Sequence, residues 1–402
     1  STPWDTGEVP GLATKGHNVK LTHIAITNWR NFAHIEFDLS SRLFVVGPNS
    51  SGKTNLLGAL RFLGDIGRRG LVAASEDLGG PDRYFRSGAD SAAFVATFND
   101  TQNSAEFALF LQLMSAGPKS TKRGSDADQT FAFPMTDPLT GEPNDRYLDV
   151  HQTITAGGKK PADEGESFPV EDEEAQRTRV RQTLAGIRYI HPNPKKMLER
   201  SDRYDPDHGT GFFQHAGRFS DQQLDAVVDR IRPIMASVVP EVPNLSYQRM
   251  GLGTEVVFYS DTPVRGASGV YSHEQFSEGT LRLLGMLFDL ATLPRDTSVV
   301  LIEEPETFLQ ASVVRSLPSL LAEVAMNRDV QMVISTHSPE LIDSELVLPS
   351  QVLMLRSENG ETTGELLSES NDPRIKAVVS AGLPKSQGID AVNGRTIPLG
   401  TW

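Results

Sequence analysis

The sequence predicts an α/β fold, and three observations predict it. Leu43-Phe44-Val45-Val46 reads as a short buried strand leading into Gly47-Pro48-Asn49-Ser50-Ser51-Gly52-Lys53-Thr54, and Asn55 to Leu63 reads as an apolar helix leading out. Thr297 to Ile302 is a second apolar strand, which runs into Glu303-Glu304-Pro305-Glu306. Val333 to Thr336 ends a further strand on an isolated His337.

The first segment has two glycines separated by four residues and followed by Lys and Thr, the pattern of a phosphate-binding loop. Such glycines let the backbone approach a triphosphate, and successive N–H groups at the helix start point at it. Lys53 is expected to reach the β- and γ-phosphates of ATP, and the Thr54 hydroxyl to ligate Mg²⁺. The expected nucleotide contacts here are Gly47, Pro48, Asn49, Ser50, Ser51, Gly52, Lys53, Thr54 and Asn55. A strand running into acids supplies the other half of a Mg-nucleotide site, because the metal needs a hard carboxylate. Glu303 stands where Asp is usual and is expected to hold the metal's shell. Glu304 is expected to polarise the attacking water. A solvated acidic strand end is the plainer alternative, and the phosphate loop upstream weighs against it.

Two further segments complete the set. Gln275 to Leu284 places Ser277-Glu278-Gly279 at the start of an apolar helix, an anion-friendly N-terminus. Ser277 can equally be a simple helix cap. A lone His is more often structural than catalytic. At the end of a strand following the acidic one, His337 can instead read the γ-phosphate.

In this order the motifs resemble the ATP-binding-cassette (ABC) ATPases, and among them the head domains of the SMC and RecF type and the OLD-like, AAA_21-type ATPases. Four matches carry the resemblance. Leu21 to Phe32, with Asn28-Trp29-Arg30-Asn31-Phe32, looks like the opening strand and turn of those heads. The phosphate loop with Asn49 and Asn55 is the second, and Phe276-Ser277-Glu278-Gly279-Thr280-Leu281-Arg282 the third. The fourth is Ile302-Glu303-Glu304-Pro305-Glu306 followed by Ser335-Thr336-His337-Ser338-Pro339-Glu340-Leu341-Ile342. The resemblance implies an ABC-ATPase head, a P-loop NTPase sheet with helices on both faces, with a mixed, partly helical insertion. It also implies that two heads dimerise head to tail around ATP. Ser277, Glu278 and Gly279 would then complete the partner copy's site, while Lys53, Thr54, Glu303, Glu304 and His337 act in cis. Catalysis falls to Glu304 and His337, and Mg²⁺ to Thr54 and Glu303. The chain departs from the pattern at Glu278, where a second Gly is common, and at Phe308-Leu309-Gln310-Ala311, where a His-Pro often follows the acids. Gln102 lies near the place of the Q-loop glutamine.

Along the chain this gives an N-terminal tail (1–18), a first lobe with the phosphate loop (19–99) and an insertion (100–270) with a mobile loop near 156–174. A second lobe with signature, acids and His (271–345) and a C-terminal segment and tail (346–402) follow. Ser104 to Leu113 alternates like a strand, Glu171 to Ile187 and Asp221 to Val238 read as helices, and Leu245 to Tyr259 returns to strand. No heptads are sustained, so long coiled-coil arms are not expected. The proline- and glycine-bearing stretch from Asn371 reads as loop.

At 402 residues the chain is long enough for one or two domains with a sizeable core. No apolar run approaches the ~18–20 residues of a membrane span. No secretory signal is read, and zero cysteines exclude disulfides and thiolate metal sites. A cytoplasmic protein with no membrane contact is expected. The net charge of −14 argues against a chain-wide DNA-binding surface. Lys119-Ser120-Thr121-Lys122-Arg123 and Lys195, Lys196, Arg200 and Arg203 are local basic clusters that read more readily as solvated loops. OLD-type nucleases carry a metal-binding domain with Asp-x-Asp after the ATPase, and no Asp-x-Asp follows His337. The expectation is therefore a slow ATPase, a homodimer or assembly of dimers, that controls a co-encoded effector, most simply a nuclease. In this it resembles the stand-alone ATPase components of anti-phage systems such as Septu and PARIS. A RecF-like repair ATPase on DNA and a non-hydrolysing nucleotide-dependent scaffold are the alternatives.

Overall fold

The computed structural model describes residues 19–78, 81–101, 105–116, 129–136, 143–156, 173–261, 270–358 and 360–393. The expected N-terminal tail, nearly all of the loop near 156–174, Gln102 and the Lys119–Arg123 cluster lie outside the described residues. The chain forms two compact units. Among the described residues, one holds 19–188, Asp296–Val299 and 348–393, and the other holds Tyr189–Arg295 and Val300–Val347.

The first unit is built on an antiparallel sheet. Val19–Trp29 lies between Phe32–Asp38 and Ser91–Asp100, and the sheet continues through Ala105–Ala116 and Pro143–Ala156 to Gln129–Thr136. Register is set by alternation, since Ile24 and Ile26 sit opposite Phe37 and Ile35 and all four are buried. The strand read at Ser104–Leu113 thus extends the sheet, and two further strands of the expected insertion join it. In the same unit Arg42–Val46 pairs in parallel with Val352–Glu358, which pairs antiparallel with Glu361–Leu366. Leu43, Phe44, Val45 and Val46 are all buried, which explains why that strand reads as a continuous apolar run.

The helix Lys53–Arg69 leaves the end of that strand and buries Leu56, Leu57, Leu60 and Leu63. A methyl group at Gly67 would come within 2.3 Å of the Ala185 backbone nitrogen, so glycine there lets the helix Glu173–Ala185 pack directly on it. Trp29 anchors the corner. It is fully buried, its ring centroid lies 5.4 Å from Phe62, 5.5 Å from Tyr84 and 5.1 Å from Phe94, and its Nε1 donates to Asn55 O at 3.1 Å.

The second unit holds all but the first residue of the strand Val299–Glu303, which neighbours Gln331–Ser335, with the helix Leu317–Arg328 between them in the chain. The helix Glu278–Ala291 is buried along most of its length, and the helix Asp221–Val238 opens on a reciprocal cap between Ser220 and Gln223. The expected return to strand is a hairpin, Leu245–Met250 with Glu255–Ser260, to which Tyr271–Ser272 adds. Phe258 of this hairpin packs with Phe212 and meets Phe288 edge to face, as Phe212 does.

The stretch after Asn371 differs from the loop read in the sequence. It forms two helices, Pro373–Ser380 and Lys385–Asn393. Asp372 caps the first, accepting from Arg374 N at 2.9 Å, and Pro373 occupies the first helical position, where its missing N–H costs nothing. Pro373 starts a helix rather than interrupting one, and Pro384 stands just before the second. Among the described residues no helix is long and apolar enough to cross a membrane.

Trp29→Ala removes the ring on which Phe62, Tyr84 and Phe94 pack and is expected to destabilise the first unit by about 3–5 kcal/mol. Chemical denaturation followed by circular dichroism measures this, and a loss under about 1 kcal/mol would contradict the anchor role.

Candidate active site

In the first unit the chain turns out of the Arg42–Val46 strand and curls around its own lysine. Lys53 is buried, and its Nζ donates to the carbonyls of Gly47 and Pro48 at 3.1 Å each. The curl requires a left-handed backbone at Ser50 (φ 65°) and Gly52 (φ 98°). At Gly52 a methyl group would meet Asn31 Nδ2 at 2.3 Å, so glycine is required both by conformation and by space. Ser51 Oγ is buried within the loop and meets no hydrogen-bond partner. A buried unsatisfied hydroxyl in the same loop as an ammonium held by carbonyls is a donor set that an anion would suit. Thr54, at the start of the helix, is exposed.

The loop is braced from outside. Asn55 Oδ1 accepts from Arg30 Nη1 at 2.9 Å, and Asn55 Nδ2 donates to Asn31 Oδ1 at 2.6 Å. Asn31 Nδ2 donates to Thr362 Oγ1 at 2.6 Å and to Ser51 O at 3.4 Å. The Asn28-Trp29-Arg30-Asn31-Phe32 segment is thereby tied to the phosphate loop. The Asn55 side chain is engaged in this brace. Neither Asn31 nor Thr362 was singled out in the sequence as a loop support.

In the second unit the acids stand at the end of Val299–Glu303. Glu303 accepts from the Tyr189 hydroxyl through Oε2, and its carbonyl accepts from His191 Nδ1 at 3.2 Å. Glu304 has φ 43°, an uncommon backbone for a non-glycine residue, and its N–H donates to Ser335 O at 3.0 Å. Its Oε1 lies 3.0 Å from His337 Nε2. The two catalytic residues expected from the sequence are therefore paired.

Arg282 supports both acids from behind. It is 4% exposed, and it donates to Pro192 O at 3.0 Å, Glu303 O at 2.9 Å and Glu304 O at 3.0 Å. Burial lowers its guanidinium pKa from the ordinary value, opposed by the nearby Glu306, Glu304 and Glu303. Burial, and then the Arg282 charge, hold the His191 imidazole below its usual pKa. Tyr189 and His191 carry no sequence signal of their own, since they lie more than a hundred residues before the acids they touch.

Ser277 is the N-cap of the helix Glu278–Ala291, accepting from Thr280 N at 3.1 Å. The capping alternative is therefore realised, and the serine still stands at a helix N-terminus. Gly279 is needed for close approach, because a methyl group there would fall 2.2 Å from Phe308 O. Phe308 itself has φ 66° and an exposed ring. The Glu278 carboxylate lies 3.7 Å from Lys195, Lys196 pairs with Glu199 at 3.0 Å and Arg200 pairs with Glu255. Three members of the second basic cluster thus face acids.

A family model described as "AAA_21: AAA domain, putative AbiEii toxin, Type IV TA system" matches residues 43–343, well over half of the chain. Among solved structures, an SMC head bound to the C-winged helix domain of ScpA is 13% identical over 86% of this chain and 97% of its own, with a TM-score of 0.50. The SMC head domain from Thermotoga maritima is 14% identical over 86% of this chain and 98% of its own, with a TM-score of 0.47. The first likeness is one of fold, the α/β fold of an ABC-type ATPase head.

Gly279→Ala is expected to push the Phe308 loop away from the signature helix and to lower ATP turnover by at least about tenfold, while ATP affinity stays within about twofold. Steady-state hydrolysis and equilibrium titration of the same preparation check this. Unaltered turnover would show that the loop tolerates displacement.

Proposed function

The chain belongs to the AAA_21 family of nucleotide-binding ATPases, and we propose that it binds ATP with Mg²⁺, closes as a dimer around it, hydrolyses it slowly and passes the resulting movement to a separate effector. The pairing of Glu304 with His337 at the ends of neighbouring strands supports this most strongly. A carboxylate held 3.0 Å from an imidazole, beside a second carboxylate, suits water activation next to a metal.

Each residue then has a task. Lys53 exchanges loop carbonyls for phosphate oxygens, a stronger, charge-assisted partner. Thr54 would ligate a bound Mg²⁺ through its hydroxyl, Glu303 is a carboxylate suited to a metal's shell, and the metal would supply charge neutralisation at the phosphates. Tyr189 and Arg282 keep Glu303 in place. Glu304 accepts the proton of the attacking water, and His337 orients Glu304 and reads the γ-phosphate. Ser277 and Gly279 present a helix N-terminus to the nucleotide of the partner copy.

The effector we favour is a nuclease in anti-phage defence. The family description, a toxin of a toxin–antitoxin system, supports a defence role. An SMC head of similar fold is bound to a separate winged-helix protein, which supports export of movement to a protein partner. Pairing of Lys195, Lys196 and Arg200 with acids favours such a partner over DNA on that surface.

Lys53→Ala is expected to weaken ATP binding by at least about tenfold with the fold intact by circular dichroism. Unchanged affinity in a titration would sink the loop assignment. Glu304→Gln is expected to keep ATP and Mg²⁺ bound while hydrolysis drops by at least about a hundredfold, because an amide cannot take the water's proton. Wild-type hydrolysis by Glu304→Gln, with Glu303→Gln dead, would reverse the two roles.

A further inference from the structure

The third acid of the Glu303-Glu304-Pro305-Glu306 run has no task in the mechanism above, yet its surroundings are specific. Glu306 Oε1 accepts two hydrogen bonds, from Thr336 Oγ1 at 2.7 Å and from the His337 backbone N–H at 2.6 Å. Its Oε2 is buried and meets no donor. Burial pushes the carboxyl's pKa up, and the two hydrogen bonds oppose that rise. A carboxylate left half unsatisfied in a dry place is costly, so the two bonds it does make must be worth the burial.

Both bonds end on the turn that carries His337. Thr336 is fully buried, and its hydroxyl, which donates to Glu306, also accepts from Ser338 N at 3.0 Å. Ser338 in turn caps the short helix Pro339–Ile342. The turn is thus pinned at Thr336 and at His337 N, the two points that decide where the imidazole goes. The outcome is the 3.0 Å contact between His337 Nε2 and Glu304 Oε1. Glu304 is itself tied to the same strand end through Ser335 O.

We propose that Glu306 is a positioning residue for hydrolysis, which sets the turn after Gln331–Ser335 so that His337 meets Glu304. The proposal rests on the roles given above to Glu304 and His337. Geometry, not charge, is what Glu306 supplies, since a neutral acceptor in the same place makes the same two bonds. A purely structural brace would affect stability and nucleotide binding alike. A positioning residue affects kcat and leaves binding alone.

The test is single-turnover and steady-state ATP hydrolysis by the full chain, with ATP affinity and thermal melting measured on each variant. Glu306→Ala is expected to lower kcat at least about tenfold with ATP affinity within about twofold. Glu306→Gln keeps an acceptor oxygen and is expected to restore kcat to within about threefold of wild type. Thr336→Val removes one of the two donors and is expected to fall between them, which keeps the proposal testable if Glu306→Ala does not fold. Wild-type kcat in folded Glu306→Ala or in Thr336→Val would overturn the proposal. So would equal losses in Glu306→Ala and Glu306→Gln, or a loss of ATP affinity matching the loss of kcat. Glu304→Gln in the same assay separates the two levels. If it is inactive while Glu306→Ala is unimpaired, the positioning role alone fails. Full activity in Glu304→Gln, or no hydrolysis by the wild-type chain, would bring down the mechanism and this inference together.

Discussion

A buried ammonium must be given oxygen partners, and the first unit is arranged around that demand at Lys53. Two backbone carbonyls supply it, at Gly47 and Pro48, and they do so because the loop closes back on its own helix. Closure needs the left-handed turn at Gly52, and Gly52 in turn leaves room for Asn31. Asn31 is fixed by Asn55 and by Thr362, and Asn55 by Arg30 and the Trp29 indole. Strand, loop and helix are therefore locked before any nucleotide arrives. Phosphate oxygens would take over from carbonyls around an ammonium already held in position, which limits the ordering entropy lost on binding.

The second unit meets a similar demand with the opposite sign. Its acids are gathered at one strand end, and like charges so close repel. Arg282 answers this from the signature helix, through the carbonyls of Glu303 and Glu304 rather than their carboxylates. The carboxylates stay available, one to Tyr189 and one to His337. Because Arg282 and Ser277 lie on or at the same helix, anything that engages the helix N-terminus acts on the element that holds the acids.

Much of this was legible in the sequence, for a physical reason. A turn around a buried lysine and a strand that ends in acids need particular residues at short, fixed spacing, so Gly47 to Thr54, Glu303-Glu304 and His337 stand out as motifs. Burial on both faces makes Leu43–Val46 and Val299–Ile302 visible as apolar runs. The supports were not legible. Asn31 and Thr362 meet across 331 positions, and Tyr189 and Glu303 across 114, with nothing local to mark either pair. Glu306 stood inside a recognised motif, but its partners become clear only when the turn at Thr336 is seen folded. The helices after Asn371 were missed because proline suggests a break, whereas at a first helical position it suits the start.

What we propose stands first on the Lys53 loop being the ATP site, with Thr54 at its metal. The most direct measurement is the structure of the Glu304→Gln chain with ATP and Mn²⁺, with the metal located by its anomalous scattering. Mn²⁺ is expected against the Thr54 hydroxyl, with Lys53 on the β- and γ-phosphates. ATP and Mn²⁺ held away from the Lys53 loop would contradict it.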